Sequence, residues 1–367
     1  MSARVLTLIK GLGRGGAEQL LASAVPYVDR TRFQFEVAYL LPWKDALVSE
    51  LRDAGLRVTC LDGARGVAWI GRLRRLVRER RIDLLHNHSP YTAIGSRVGL
   101  GRRIRRVYTE HNTWDRYHPL TRWGNMLTLH RVDHVFAVSD HVRDSIRYPA
   151  GLRWIRRPPV ESLYHGIDPA AVATWAGGDG VRRELGVPED APVVGTVANF
   201  KTHKRLDDLL RAAVRVRREV PEARFVVVGQ GPREAELRAL ARELSLDGSV
   251  VFTGFREDAP RIASSFDVFA MASEQEGLSI ALIEAMALER SVVVTDAGGL
   301  PEVVRDGVQG FVVPTRDPVT LADRIVRLLR DPGLRERMGG AGRARAADFQ
   351  IGRAVERMQA VYEVLLS

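Results

Sequence analysis

The sequence is poor in cysteine, in aromatic residues and in long apolar runs. Its 367 residues include one cysteine, Cys60, and only 7% of them are aromatic. A lone cysteine cannot form an internal disulfide, which excludes a disulfide-stabilised scaffold and favours a reducing compartment. Apolar runs such as that of Val292, Val293 and Val294 fall far short of the roughly 20 residues that a bilayer-spanning helix needs. We therefore expect a cytoplasmic chain without a membrane span.

The residues that are present are typical of a globular protein. Hydrophobic residues make up 45% of the chain and charged residues 27%, proportions that exclude collagen-like and intrinsically disordered classes. At roughly 100–200 residues per domain, the length predicts two domains.

Positive charge is concentrated in the first half. The whole chain has a net charge of +10, whereas residues 1–170 alone contain 28 basic and 16 acidic residues, a net charge of +12. The arginines cluster at 72–81 and at 102–106. They form either a solvated surface or a site of attraction to an anionic partner such as a membrane face or a lipid-phosphate carrier. Aromatic residues do not alternate with these arginines, so we expect no nucleic-acid partner.

Short β-branched runs alternate with amphipathic stretches along the whole chain. The runs predict strands at 5–9, 33–41, 57–61, 84–86, 107–110, 134–138, 193–197, 225–228, 250–253, 268–271 and 292–295. Helices are predicted between them, at 17–28, 45–54, 67–80, 205–219, 233–244, 278–287 and 320–329. This alternation is typical of α/β folds with parallel sheets covered by helices on both faces.

A polar, glycine-rich stretch at 176–180 predicts a domain boundary. We predict two Rossmann-like, doubly wound domains, 1–175 and 176–350, and a final helix over 351–367 whose apolar spacing permits it to cross back to the first domain. Open α/β sheets bind ligands at the carboxyl ends of their strands, so the expected site is the cleft between the two domains.

A glycine-rich loop follows the first predicted strand. Its glycines, Gly11, Gly13, Gly15 and Gly16, would let the backbone approach a ligand at the start of a helix. The spacing also fits a dinucleotide-binding fingerprint, which would indicate a dehydrogenase. That fingerprint needs a carboxylate at the tip of the second strand, and the candidate, Glu36, lies inside the strand. The dehydrogenase interpretation is therefore disfavoured, and a tight turn without a ligand stays open.

Two glutamates, Glu276 and Glu284, stand eight residues apart around the start of a predicted helix. Their separation along the helix axis would be about 12 Å or less, which suits the two ends of a nucleotide sugar. Gly277, Leu278 and Ser279 would present free backbone N–H groups to a phosphate. The alternative is a helix-terminal charge at Glu276 and an ordinary surface glutamate at Glu284. The apolar neighbours of Glu284 count against that alternative, because such a carboxylate usually has a partner.

The stretch from Glu276 to Thr295, continued by Gly298, Gly299, Leu300, Pro301 and Glu302, resembles the donor-binding domain of family 4 glycosyltransferases. These are retaining enzymes of the GT-B fold, with two Rossmann-like domains facing across a cleft. Gly15 and Gly16 are similar to the first loop of the family, and the resemblance extends along nearly the whole chain. It implies an acceptor-side domain over 1–175 and a nucleotide-sugar donor domain over 176–350.

The resemblance implies roles for individual residues. Glu284 would accept hydrogen bonds from ribose hydroxyls, and Glu276 would face the hydroxyls of the transferred sugar. Gly229 would shape the diphosphate region, whereas Phe255 and Arg256 would shape the base pocket, largely through their main chain.

The family usually supplies an arginine and a lysine for the leaving diphosphate. Lys204 occupies the lysine position, whereas Asn199 stands where arginine is commonest. One positive charge is therefore either missing or supplied by Lys201 or Arg205.

His111 resembles the active-site histidine of the family, near the transferred sugar. His86 and His88, which end the preceding strand, could instead be a metal pair, but no further ligand completes a set nearby. We expect His88 to line the acceptor side. We also expect no metal, since the chain has no Asp-x-Asp triplet of the kind with which metal-dependent glycosyltransferases hold the diphosphate. No cofactor is expected, because the nucleotide sugar is a substrate.

These features predict a retaining glycosyltransferase that moves a hexose-type sugar from a UDP- or GDP-linked donor to a glycan, lipid-linked or small-molecule acceptor. Such a reaction belongs to polysaccharide, glycolipid or glycoconjugate biosynthesis. Peripheral association with the inner membrane face is a further expectation. The alternatives are a GT-B sugar-nucleotide epimerase or phosphorylase, and a non-catalytic binder of nucleotide sugars or nucleic acid.

Overall fold

The computed structural model describes residues 2–63, 66–101, 104–148, 151, 156–177 and 180–367. Contacts divide the chain into two units: unit 1 comprises Met1–Gly166 with Ile351–Ser367, and unit 2 comprises Ile167–Gln350. Arg102 and Arg103 of the second arginine cluster lie outside the described residues, as do Gly178 and Asp179 of the glycine-rich stretch.

Unit 1 is built on a parallel sheet of seven strands in the order β3-β2-β1-β4-β5-β6-β7. The strands are β1 (Ala3–Ile9), β2 (Phe33–Tyr39), β3 (Arg57–Cys60), β4 (Leu84–Asn87), β5 (Arg105–Glu110), β6 (His134–Ala137) and β7 (Val160–Ser162). The helices are α1 (Gly16–Ala24), α2 (Val48–Asp53), α3 (Ala68–Glu79), α4 (Pro90–Gly99), α5 (Pro119–Thr128), α6 (Asp140–Ser145) and α16 (Ile351–Leu366).

Unit 2 is built on a parallel sheet of six strands in the order β10-β9-β8-β11-β12-β13. The strands are β8 (Val193–Val197), β9 (Arg224–Val228), β10 (Val250–Gly254), β11 (Val268–Met271), β12 (Ser291–Thr295) and β13 (Gly310–Val313). The helices are α7 (Pro169–Ala173), α8 (Val181–Glu184), α9 (Leu206–Glu219), α10 (Glu234–Glu243), α11 (Ala259–Ala263), α12 (Ile280–Ala287), α13 (Leu300–Val303), α14 (Pro318–Arg330) and α15 (Pro332–Ala346).

Valine-rich strands form the centre of both units because each sheet is covered on both faces. In β12, for example, Val292, Val293 and Val294 are fully buried. Strands buried on both sides read as continuous apolar runs rather than as an alternating pattern. That is why the sequence predicted the class of fold, α/β with doubly wound parallel sheets.

The structure places the division of the chain earlier than the predicted boundary at 175/176. Ile167 already forms a parallel bridge with Gln350, and α7 packs against α12, so both belong to unit 2. The glycine-rich stretch therefore lies within unit 2 rather than at its start.

The last helix belongs to unit 1. Ala354, Val361 and Tyr362 of α16 join a buried apolar cluster with Phe33 of β2 and Leu84 of β4. The Arg357 guanidinium also forms a two-pronged ion pair with Glu161 of β7, at 2.7 and 2.8 Å. The chain thus begins and ends in the same unit.

Sequence periodicity missed several elements. Strands β7 and β13 were not predicted, and neither were helices α4, α5 and α6. The two strands are only three and four residues long, and β13 begins with a glycine, so they lack a clear strand pattern. No helix in the described part of the chain combines the length and the apolar character needed to cross a bilayer.

Candidate active site

The candidate site in unit 2 lies at the point where the strand order reverses. β8 has β9 on one side and β11 on the other, so the loops after β8 and β11 leave the same edge of the sheet in opposite directions. Open α/β sheets bind ligands at such a switch point. The two loops are joined by a backbone hydrogen bond of 2.8 Å from the N–H of Glu274 to the carbonyl of His203.

These two loops bring Lys204 and Glu276 together. The Lys204 ammonium donates a hydrogen bond to Oε1 of Glu276, and the two side chains are only 16% and 9% exposed. The Ser273 hydroxyl donates a second hydrogen bond to the same oxygen, at 2.8 Å. Removal of charges from water is costly unless they are paired and hydrogen-bonded, and this carboxylate has both kinds of partner.

Gly298 lets the loop after β12 approach Glu276. The N–H of Gly299 donates a 3.1 Å hydrogen bond to the Glu276 carbonyl, and Gly298 has a φ of +55°. A Cβ atom at position 298 would lie 1.9 Å from that carbonyl oxygen. Only glycine fits, because both the conformation and the close approach exclude a side chain.

A second glycine, Gly229, has the same function beside the loop that follows β8. Its φ is +131°, and a Cβ atom there would lie 2.0 Å from the Ala198 carbonyl oxygen. The neighbouring Gln230 carbonyl accepts a 2.9 Å hydrogen bond from the N–H of Phe200. Gly229 therefore shapes the loop that leads to Lys204.

The start of α12 leaves backbone donors next to Glu276. The Ser279 hydroxyl caps the helix by accepting a 3.3 Å hydrogen bond from the N–H of Leu282. Within the described residues, the backbone N–H groups of Gly277, Leu278 and Ser279 have no acceptor. Free N–H groups at a helix start attract anions, and a phosphate at these three residues stays a prediction.

Glu284 lies one turn further along α12 and is half-buried. Burial raises the pKa of its carboxyl to about 7. Its neighbours Ile283 and Ala285 are fully buried, and no hydrogen-bond donor or cation from the described residues compensates the carboxylate. A ligand that offers hydroxyl donors would provide that compensation.

The positive charges near Asn199 differ in their availability. Arg205 binds Asp208 in a two-pronged ion pair of 2.8 and 2.9 Å, so its guanidinium is directed to the first turn of α9. Lys201 is exposed and has no described partner, and Asn199 is exposed as well. Of the two residues considered in place of the missing arginine, only Lys201 has a free charge.

The predicted base pocket follows β10. Phe255 is 39% exposed, an unusual position for a large apolar ring. The Arg256 side chain is held by Asp258 at 2.8 Å and by Glu184 at 2.6 Å. Its guanidinium is therefore engaged within the protein, which leaves the main chain as the part of Arg256 that can shape a pocket.

In unit 1, His111 is part of a cluster of four histidines. Its Nε2 lies 3.3 Å from Nδ1 of His88, and its ring stacks on that of His165 with 6.0 Å between centroids. The ring of His88 in turn lies against that of His86, at 4.2 Å. Burial lowers the pKa of all four, to about 4 for His165. The cluster is therefore neutral at pH 7.

His86 is the most deeply buried member of this cluster. It is fully buried, with Nδ1 2.5 Å from the Tyr362 hydroxyl of α16 and Nε2 2.7 Å from the Thr109 hydroxyl of β5. His86 therefore has a structural position, whereas His88, His111 and His165 are half-buried. The described residues include no group of three or more potential metal ligands.

The first glycine loop lies at the start of α1. Gly15 precedes the helix in an extended conformation, and a Cβ atom there would lie 2.3 Å from Oε2 of Glu18. Gly16 is exposed, with no atom within 4 Å of an added Cβ. Glu36 lies within β2 and is bound by Arg80 at 3.3 Å, so it is unavailable to a dinucleotide ribose.

The sequence analysis did not identify several residues that contact the candidate site residues and the histidine cluster. Ser273, Gly298, His165 and Tyr362 were not assigned functional contacts, although Gly298 was quoted as part of the family motif. Ser273 lies in the loop after β11, three residues before Glu276, and could have been suspected because it stands so close to the motif. The contacts of His165 and Tyr362 join segments that are far apart in the chain, so no local pattern shows them.

Comparison with known proteins places this architecture among the GT-B glycosyltransferases. The family model for glycosyltransferase family 4 matches residues 6–171, and that for glycosyl transferases group 1 matches residues 179–345. An Anabaena protein, HepE, solved in complex with UDP and glucose, superposes with a TM-score of 0.85 at 20% identity, covering 99% of this chain and 100% of its own.

Similarity in sequence shows the family to which the chain belongs. A GDP-mannose-dependent α-(1-6)-phosphatidylinositol monomannoside mannosyltransferase of Mycobacterium tuberculosis is 30% identical over 90% of this chain and 89% of its own length. The putative glycosyltransferase EpsD of Bacillus subtilis is 26% identical over 80% of each chain. The chain belongs to the family 4, group 1 glycosyltransferases.

Proposed function

We propose that the protein is a retaining glycosyltransferase that moves a hexose-type sugar from a nucleoside diphosphate donor to an acceptor hydroxyl. The observation that carries the proposal is the joint placement of Lys204 and Glu276 beside the unpaired N–H groups that begin α12. A cation and free N–H groups suit a diphosphate, and a carboxylate suits sugar hydroxyls.

In this reaction the bond between the anomeric carbon and the diphosphate oxygen breaks, and the acceptor oxygen bonds to the same face of the carbon. The acceptor proton passes to the departing phosphate oxygen. Lys204 and the N–H groups of Gly277, Leu278 and Ser279 stabilise the charge that develops on the diphosphate. Glu276 positions the sugar while positive charge develops on its ring.

Before the donor binds, Lys204 and Glu276 form an ion pair with each other. In the free protein the ammonium is held by the carboxylate and the Ser273 hydroxyl shares the same oxygen. A diphosphate near Lys204 competes for the ammonium and leaves Glu276 free to accept hydrogen bonds from the sugar. Donor binding thus exchanges one set of charged partners for another, without exposing a bare charge.

The similar proteins support a UDP- or GDP-linked donor. HepE has been solved with UDP and glucose, and the M. tuberculosis relative is named for its use of GDP-mannose. A glycan, lipid-linked or small-molecule acceptor in polysaccharide or glycoconjugate biosynthesis fits both. The basic first half and the membrane-lipid acceptor in the relative's name support a cytoplasmic protein that associates peripherally with an anionic membrane face. We propose that the reaction uses no metal.

The first experiment is a thermal-shift screen of UDP, GDP and ADP and their sugars, because a tight ligand raises the melting temperature by mass action. The best donor is then supplied to the protein with candidate acceptors and EDTA, and the anomeric configuration of the product is read by NMR. We expect transfer with retention in the presence of EDTA.

Three outcomes would contradict the proposal. Inversion at the anomeric carbon would exclude a retaining reaction. Conversion of the donor to an epimer, or its cleavage by phosphate without an acceptor, would show an epimerase or a phosphorylase. Binding of nucleic acid with no affinity for any nucleotide sugar would show a non-catalytic protein.

A further inference from the structure

Helices α3, α4 and α5 form one layer on the sheet of unit 1. α4 packs against α3 on one side and against α5 on the other. Small residues allow the close packing: a Cβ atom on Gly99 would lie 2.1 Å from the Ile70 side chain of α3, and one on Gly124 would lie 3.0 Å from Ile94 of α4. We call the outer surface of these three helices the α3–α5 face.

Large apolar side chains are exposed on this face. Leu120, Trp123 and Leu127 of α5 are 77%, 47% and 50% exposed. Their spacing of three and four residues aligns them along one side of the helix, opposite the buried Asn125 and Met126. An exposed tryptophan between two exposed leucines forms an apolar stripe that no described residue covers.

The neighbouring helix continues the apolar surface. Tyr91 and Val98 of α4 are 42% and 60% exposed and stand seven residues apart, so they lie on the same side of their helix. The inner side of α4 contains Ala93, Ser96 and Arg97, all buried. Apolar side chains therefore extend over two adjacent helices.

The face is also basic. The three helices contain six arginines and one acidic residue, Glu79. Arg97 is buried, Arg72 donates a 2.7 Å hydrogen bond to the Leu61 carbonyl, and Arg74 donates one to the Gly99 carbonyl, so these three are engaged. The remaining exposed arginines without a described partner are Arg75, Arg78 and Arg122.

Arg105 and Arg106 are the members of the second arginine cluster that the structure describes. Arg106 is buried and donates a 2.9 Å hydrogen bond to the Leu100 carbonyl, so it belongs to the interior rather than to a charged surface. Among the described residues of this face, the unpaired positive charge is therefore carried chiefly by α3.

We propose that the α3–α5 face docks on an anionic lipid bilayer, with the stripe of Leu120, Trp123 and Leu127 inserted among the headgroups. Tryptophan is favoured at the membrane–water interface, and leucines gain by leaving water. Arg75 and Arg78 lie on the same layer, where they meet the lipid phosphates.

A second copy of the chain is a poorer occupant. A symmetric dimer would place the same surface against itself, so the unpaired arginines of one copy would face those of the other with Glu79 as the one acidic residue of the three helices. A bilayer offers apolar depth and negative charge together. The inference rests on the membrane association contained in the proposed function, and it specifies the surface that makes the contact.

The test is sedimentation with vesicles of phosphatidylcholine alone and of phosphatidylcholine with phosphatidylglycerol, at low and at high salt. We expect the full chain to bind the anionic vesicles and to lose most of that binding at high salt, because exposed charges are screened. The triple variant Leu120→Ser, Trp123→Ser, Leu127→Ser and the double variant Arg75→Glu, Arg78→Glu should each bind at least tenfold more weakly.

Matched controls separate this face from general effects. Val319→Ser removes an apolar side chain that is 51% exposed in unit 2, and Arg211→Glu with Arg218→Glu changes charge by the same amount on α9. Both controls should bind vesicles as the unchanged protein does. Circular dichroism and melting temperature establish that the α5 variants are folded.

Two results would overturn the inference: absence of binding to anionic vesicles, or equal binding by the face variants and the controls. Self-association that the triple variant abolishes, without vesicle binding, would identify a second copy as the occupant and would overturn it too. Nucleotide titration without vesicles is measured in parallel. Loss of vesicle binding with intact nucleotide affinity would reject the docking face alone, whereas absent nucleotide affinity would reject the transferase proposal.

Discussion

The ammonium of Lys204 and the carboxylate of Glu276 form a largely buried ion pair that joins the loops after β8 and β11. The two residues are far apart in sequence, and they meet because their strands are neighbours at the reversal of strand order. This contact brings a candidate phosphate-binding group and a candidate sugar-binding group into one site.

Lys204→Ala tests the charge on the leaving group. If Lys204 stabilises the departing diphosphate, its loss should raise the barrier by about 3 kcal/mol, roughly a hundredfold in kcat, by analogy with removal of one oxyanion donor. Steady-state transfer kinetics measure the effect, with Arg211→Ala on the exposed surface of α9 as the control. Transfer by Lys204→Ala at the unchanged rate would remove Lys204 from the mechanism.

Glu284 predicts a pH dependence of nucleotide binding. Its pKa is raised to about 7, and ribose hydroxyls donate to the ionised form, so binding must release the proton. Affinity for the free nucleotide should therefore rise about tenfold from pH 6 to pH 8. Calorimetric titration at both pH values measures it, and Glu284→Gln serves as the control because it leaves the ionisation of the nucleotide unchanged. The variant should bind more weakly and lose the tenfold step, with less effect on kcat; an identical step in both proteins would contradict the ribose role.

His165 predicts a loss of stability in acid. Burial lowers its pKa from 6.5 to about 4, so the unfolded chain binds a proton that the folded chain does not. Below pH 6.5 the free energy of unfolding therefore decreases, by up to about 2 kcal/mol at pH 5, and the loss ends near pH 4.

Urea unfolding at pH 7 and pH 5 measures this effect. His165→Gln should lose less stability between the two pH values than the unchanged protein. His118→Gln, on the exposed start of α5, is the control and should behave as the unchanged protein. An equal loss in all three proteins would show that His165 does not contribute.

Gly298→Ala tests the loop that supports Glu276. An added Cβ meets the Glu276 carbonyl oxygen, and the φ of +55° is unfavourable for alanine. We expect a loss of about 1–3 kcal/mol in the free energy of unfolding, together with weaker donor binding. Gly340→Ala, where an added Cβ has no atom within 4 Å, is the control and should not be destabilised. Unchanged stability and donor affinity in Gly298→Ala would show that the loop adjusts freely.

Tyr362→Phe tests the link between the last helix and the histidines. The change removes the hydroxyl that meets Nδ1 of His86 while retaining the buried ring. Leaving a buried imidazole nitrogen unpaired should cost about 1–3 kcal/mol of stability. Thermal unfolding measures it, and Tyr91→Phe, at the exposed surface, is the control. Equal melting temperatures would show that the hydrogen bond does not stabilise the unit.

Much of the fold followed from local patterns. The predicted strands 193–197 and 268–271 agree with β8 and β11, because buried parallel strands keep uninterrupted β-branched runs. Helix α16 likewise begins at the predicted residue, Ile351, and ends one residue before the predicted end. Strand β13 starts with glycine and pairs with β12. It can be recognised as a strand only from that pairing, because its own sequence has no clear strand pattern.

The sequence by itself determined the alternation of strands and helices, the family motif and the identity of the charged residues, since these depend on spacing along the chain. Only the tertiary structure decided which charges are available: Arg205 is bound by Asp208, Arg106 is buried, and Lys204 meets Glu276. The reason is physical. Pairing and burial depend on distances between segments that the order of strands brings together, and no local pattern contains those distances.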